Sequence, residues 1–223
     1  MSEYLKETTG AATLGIWRID EDEEALKSYI GGDSFPVLQQ FTDKKRRLEW
    51  LATRCVLKML GIVDSIVYAP SRRPFLSNGR MHISISHSFP FVTVIASQNF
   101  FVGIDIEALG RGYVRIADKY LTLGEKSWIN YANAKQMALV WSAKEALYKL
   151  PGMEGLNSFV DMTVLPVEEV QTRGILQMRV RLQELVQLFN LEYRFLDGYV
   201  ITWVACNPRL MEWDGKQQEG NRQ

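Results

Sequence analysis

Only two cysteines, Cys55 and Cys206, occur in 223 residues, and they stand apart without metal-type spacing. That scarcity excludes a disulfide framework and points to a reducing compartment, the cytoplasm. No apolar run is long enough to span a membrane. The start, MSEYLKETTG, has neither a basic stretch nor an apolar one, so no signal peptide is expected. An excess of either charge is missing too. The 26 basic and 26 acidic residues leave a formal net charge of +0, which argues against a general nucleic-acid binder while leaving local patches open. What is present is ordinary for a soluble chain, 47% hydrophobic and 23% charged, at a length that allows one large domain or two small ones. The polar end, MEWDGKQQEGNRQ, is expected to be frayed.

An internal echo organises the chain. Residues 50–61, WLATRCVLKMLG, and 141–152, WSAKEALYKLPG, share Trp, Ala, Lys and the closing Gly. FVTVIASQN (91–99) and YVITWVACN (199–207) form a second pair, each following a strand-like segment and a turn. Two copies are too few for a solenoid, so the reading is a duplicated unit; chance similarity of two amphipathic helices and two hairpins is the alternative. The expected fold is α+β, two similar α/β subdomains with pseudo-twofold symmetry, each a long helix packed on an antiparallel sheet. The expected division is 1–100 and 101–210, with a flexible tail at 211–223.

The helices are readable from periodicity. In 42–60, Leu48, Leu51, Ala52, Cys55 and Met59 recur at helical spacing, with Thr42 or Asp43 as N-cap. A second helix, about 136–150, carries Val140, Ala143, Leu147 and Leu150 on one stripe. Glu145 and Lys149, four apart, share another face with Ser142 and could be no more than an exposed ion pair.

One segment resists a bland reading. FFVGIDIEA (100–108) has the apolar, β-favouring side chains of a buried strand, yet carries Asp105 and Glu107. Residues i and i+2 of a strand point the same way, so these carboxylates stand side by side while Val102, Ile104 and Ile106 form the core face. Two neighbouring carboxylates repel unless a cation or base compensates them. Glu145 would complete an oxygen-rich half-shell for Mg²⁺, which takes few protein carboxylates and fills its octahedron with water and phosphate. An exposed edge strand with such a pair is the competing view. Upstream, Arg72, Arg73 and Arg80 precede a strand ending in Ser86-His87-Ser88, and arginine forks with a hydroxyl–imidazole pair suit phosphate. His82 is assigned no more than a structural role.

Taken in order, SRRP, SISHS, VGIDIE and WSAKEALYK resemble the motifs of the 4′-phosphopantetheinyl transferases, and more narrowly those of their pseudo-dimeric class, typified by the surfactin-synthetase activator. The resemblance implies Mg²⁺-dependent transfer of the phosphopantetheine arm of coenzyme A to a serine of an apo acyl or peptidyl carrier protein, with release of adenosine 3′,5′-bisphosphate; Mn²⁺ could replace Mg²⁺. It implies Asp105, Glu107 and Glu145 as metal-binding carboxylates, with Glu145 also the base. Lys149 matches the lysine at the pyrophosphate, and Lys144 precedes the base as in the family. Ser86 and His87 match a pair near the coenzyme A phosphates, and Arg73-Pro74 a basic-Pro motif. Glu125 resembles an acidic position before the last motif. For the 3′-phosphate, Lys44, Lys45 and Arg46 are candidates. Residues 153–190 match nothing in the family.

The chemistry is coherent with that resemblance. Serine needs a positioned base, and charge building on a bisphosphate leaving group suits a cation and a lysine. No reactive-cysteine or serine-triad signature competes. Two other readings stay open: a different Mg²⁺-dependent phosphotransferase or nuclease, and a silent homologue that only binds coenzyme A or carrier protein. If duplicated, the chain is expected to be a monomer with coenzyme A between its halves, and Arg54 in the place that Glu145 holds in the second half. The segment 108–128, with Arg111, Arg115 and Lys119 and with Tyr113 and Leu121 expected to be exposed, is the expected carrier-protein dock.

Overall fold

The structure, a computed structural model, describes residues 3–31, 35–153, 155–157, 160–182 and 185–211. Apart from Met211, the expected tail lies outside them.

The first sheet holds β1 (Glu3–Thr9), β2 (Ala12–Arg18), β5 (His82–Ser88) and β6 (Phe91–Ser97), in the order β1-β2-β6-β5 and antiparallel throughout. Between β2 and β5 run α1 (Glu23–Ile30), α2 (Lys44–Met59) and a two-stranded hairpin of β3 (Ile66–Tyr68) and β4 (Pro74–Leu76). The second sheet begins with β7 (Phe101–Ala108). It continues, after α3 (Ala117–Tyr120), α4 (Leu123–Lys126) and α5 (Ala134–Tyr148), with β8 (Met162–Val164), β9 (Arg173–Leu182), β10 (Leu185–Leu196) and β11 (Tyr199–Cys206). Its order is β7-β11-β10-β9-β8, again antiparallel. The molecule is thus a mixed α+β fold with antiparallel sheets.

One long helix lies on each sheet, α2 on β2 and β6, α5 on β7 and β11. Asp43 caps α2 by accepting from the Lys45 N–H at 2.8 Å, and Asn133 caps α5 by accepting from Lys135 and Gln136 at 3.1 and 3.2 Å. Apolar clusters fill the space under each helix, and a third, containing Leu14, Ile16, Ile95, Ile104, Ile106 and Trp203, lies between the sheets.

Strand periodicity then decides which way β7 presents its chemistry. Val102, Ile104 and Ile106 enter the cluster between the sheets, so Gly103, Asp105 and Glu107 face α5. A Cβ on Gly103 would sit 2.0 Å from the Ala146 carbonyl oxygen, so only glycine lets the helix lie this close. The edges of the two sheets meet without a backbone ladder. The Ser84 hydroxyl accepts from the Ile104 N–H at 3.1 Å, and the Ser86 hydroxyl from the Ile106 N–H at 3.3 Å. Two buried strand donors are thereby satisfied across the junction.

Candidate active site

Asp105 stands where β5, β7 and α5 meet, and it is 4% exposed. Its Oδ1 accepts from the Ser86 hydroxyl at 2.9 Å and from the Lys149 ammonium at 2.9 Å. Lys149 follows the last residue of α5 and also donates to the Ile104 carbonyl at 2.8 Å. Among the described residues, the other oxygen, Oδ2, is buried without a partner. Glu145 is half-buried one turn before Lys149. Burial pushes its carboxyl above the usual carboxylate range; Asp105 and Glu107 push the same way, and Lys149 opposes them. The sequence-predicted residues Ser86, Asp105, Glu145 and Lys149 are therefore brought together.

Glu107 is placed differently. Its Oε1 accepts from the Trp141 indole N–H at 2.9 Å. Its Oε2 accepts from the Arg111 guanidinium and from the Tyr113 hydroxyl at 3.3 Å. Tyr113, expected to be exposed, is 3% exposed, because its hydroxyl also reaches the Ala108 carbonyl at 2.8 Å and its ring joins the core under α5. Leu121 is likewise buried in that core, contrary to expectation. Arg111, expected in the carrier-protein dock, and Trp141, expected in no site, are instead partners of Glu107. The four-residue spacing from Glu107 to Arg111 is the signal that could have suggested the first.

Lys144 points elsewhere. It is 2% exposed, donates to Glu125 Oε2 at 2.7 Å and also to the Tyr120 carbonyl. Glu125, fully buried, accepts in addition from the backbone N–H groups of Thr122 and Val164, both at 2.7 Å. Burial pushes the Lys144 ammonium down against the pull of Glu125. This pair ties α5 to α4 and β8, on the side of the helix away from Asp105.

Two adjoining pockets share Arg72, Pro74 and Ile85 in their walls, and the larger reaches the site through Lys149, the partner of Asp105. One, of about 480 Å³, has Arg73, Ser84, Tyr148 and Lys149 in its wall. Arg73 spends an N–H on the Leu150 carbonyl at 2.7 Å, closing the C-terminal end of α5. The other, of about 330 Å³, is lined by Phe41, Arg46, Trp50, Arg54, Tyr68 and His87 among others. Arg54 lies 3.5 Å over the Trp50 ring, and burial lowers it to about 10, which leaves it cationic at neutral pH. His87 is exposed, with Nδ1 3.5 Å from buried Glu49. His82 stacks edge-on against Phe101 away from both pockets.

Among the described residues, no three His, Cys, Asp or Glu side chains are grouped so as to hold a metal by themselves. The donors nevertheless suit a divalent cation that brings its own water and phosphate. Asp105 Oδ2 is an unsatisfied buried oxygen, and Glu145 is a carboxylate whose negative charge is penalised until a cation compensates it.

Residues 101–204 match the family model of the 4′-phosphopantetheinyl transferase superfamily. The match takes in β7, α5 and nearly all of β11, with Asp105, Glu107, Glu145 and Lys149; Arg73, Ser86 and His87 lie before it. No curated protein matches the chain.

Proposed function

We propose that the chain transfers the 4′-phosphopantetheine arm of coenzyme A to a serine of an apo acyl or peptidyl carrier protein, with Mg²⁺ or Mn²⁺, releasing adenosine 3′,5′-bisphosphate. The superfamily match supports phosphopantetheine transfer in general. One observation carries the finer reading: Asp105, held by Ser86 and Lys149 through one oxygen and unpartnered at the other among the described residues, with Lys149 in the wall of a pocket that also holds Arg72 and Arg73.

Glu145, one turn before Lys149, takes the proton of the attacking serine, the role the family resemblance implies for it. The serine oxygen bonds to the phosphorus bearing the pantetheine arm, and the bond from that phosphorus to the bisphosphate oxygen breaks. Lys149 donates to the oxygens on which charge accumulates. Asp105 and Glu145 would hold the cation, which when bound would neutralise the pyrophosphate. The adenosine end lies in the smaller pocket. There Trp50 and Tyr68 offer aromatic surface and Arg46, Arg54 and His87 face the 3′-phosphate; of Lys44, Lys45 and Arg46, only Arg46 is in that wall.

The protein acts as a monomer in the cytoplasm in this reading; among the described residues no helix is long and apolar enough to cross a membrane. The test is to incubate the chain with coenzyme A, Mg²⁺ and apo-carrier proteins of fatty-acid, polyketide and nonribosomal peptide type. Intact-mass measurement is expected to show one phosphopantetheine gained on at least one carrier. Coenzyme A binding with no carrier modified would overturn the transferase reading in favour of a silent binding homologue.

A further inference from the structure

Arg72 occupies a backbone conformation that its side chain does not favour. Its φ is +65°, and among described non-glycine residues only Asp197 shares a positive value. Asp197 sits with Gly198 in the tight β10–β11 turn, where a short polar side chain settles readily. Arginine has no such local bond to make. The turn itself, closed by Arg72 N–H to Ala69 carbonyl at 2.8 Å and Ala69 N–H to Arg73 carbonyl at 3.0 Å, would form as well with glycine or asparagine. A long cationic side chain held at such a cost calls for a role in binding.

Its position supplies that role. Arg72 is exposed and lines both pockets, the aromatic one under α2 and the one at Lys149. Among the described residues its guanidinium has no ion-pair partner. Its neighbour Arg73, by contrast, is engaged on the end of α5. The two adjacent arginines thus divide the work, one closing a helix and one facing open space at the seam of the pockets.

We propose that Arg72 is a specificity-determining residue that grips a phosphate of a ligand lying across both pockets. The inference rests on the coenzyme A reading, which supplies a ligand with phosphate at either side of the seam. The turn fixes the backbone from which the side chain reaches the seam, and the exposed guanidinium is ordered when it meets the phosphate.

Arg72→Gly and Arg72→Asn remove the cation and suit the turn. Calorimetric titration with coenzyme A is expected to show roughly 10–100-fold weaker binding in both, the scale of a lost charge-assisted hydrogen bond. Their Tm is expected to be no lower than the parent's, whereas Arg73→Gln should lower it. Arg72→Lys, which keeps the charge, should recover part of the affinity. The same titrations with dephospho-coenzyme A identify the phosphate: a loss that vanishes there marks the 3′-phosphate, and one that persists marks the pyrophosphate. An Arg72→Gly protein that binds coenzyme A as tightly as the parent overturns the inference alone. A parent that binds neither compound overturns the coenzyme A reading, and this inference with it.

Discussion

Lys149 reaches back from the end of α5 to place its ammonium 2.9 Å from Asp105 Oδ1, on the oxygen that also accepts from Ser86. The cationic partner therefore saturates one oxygen and leaves Oδ2 open. Asp105→Asn keeps the shape and removes the charge. Turnover is expected to fall a few-hundred-fold, since losing electrostatic stabilisation of this kind costs about 3–4 kcal/mol. Without divalent cations the lost Lys149 pair is offset by relief of repulsion on Glu145, so Tm should shift by no more than about 3 °C. With Mg²⁺ and coenzyme A, the parent should gain Tm and the variant much less. Parental turnover in Asp105→Asn across Mg²⁺ concentrations would refute the metal assignment.

Glu145 gives the pH dependence a definite sign. Its folded carboxyl is raised above the ordinary value of 4.5, mainly by burial, so the native state holds this proton more tightly than the unfolded chain does. Stability linked to this group is thus intact below 4.5 and is lost as pH rises from there through the folded pKa. Glu145→Gln cannot ionise and should escape the loss. Metal-free melts across that window should show the variant gaining on the parent as pH rises, while its turnover collapses. A parent–variant difference in Tm that is flat with pH would show that the fold does not hold this carboxyl above its ordinary value.

The Lys144–Glu125 pair tests a role that resemblance alone cannot assign. Both side chains are buried, and Lys144→Met would leave Glu125 charged without its cation. Breaking a buried pair from one side costs about 3–5 kcal/mol, and Lys144→Met with Glu125→Gln should recover part of that. Because the ammonium is spent on Glu125 and the Tyr120 carbonyl, the double variant is expected to bind coenzyme A as the parent does below its Tm. Weakened coenzyme A binding in a folded double variant would restore Lys144 to the binding set.

Local patterns in the sequence were legible where one element decides them. Asp43 and the apolar stripe specify α2, and the period of two puts Asp105 and Glu107 on one face, away from Ile104 and Ile106. That this face is buried was not legible, because it depends on α5 seating against Gly103. Tyr113 and Leu121 were misjudged for the same reason: their segment has no period of its own, and packing against α5 turns them inward. β9 is a different case. Leu176, Met178 and Val180 alternate with Arg179 and Arg181 in plain view, but the segment matched no family motif and so its strand went unassigned. On α5 the stripe of Val140, Ala143, Leu147 and Leu150 was legible and is buried, but Met137, Leu139 and Ala146 are buried as well, on sides that no clean polar boundary marks.

The proposed carrier-protein dock must be narrowed by what Arg111 does. That residue pairs with Glu107 at the site, so reversing its charge would disturb Glu107 and Trp141 and confuse docking with catalysis. Arg115 and Lys119 remain, both exposed, near Leu123 at 87% and Val114 at 53% exposure. A partner that presents an acidic, partly apolar helix beside its serine would match this mixture. Arg115→Glu with Lys119→Glu is expected to raise the KM for carrier protein roughly tenfold or more at low salt, where charge pairing across an interface acts mainly on encounter. The salt dependence should weaken, since fewer opposite charges remain to be screened. The KM for coenzyme A should stay put, because neither residue lines its pockets. Leu123→Asp should raise the carrier KM by a route that salt does not alter. Unchanged carrier kinetics in both variants would move the dock to another face.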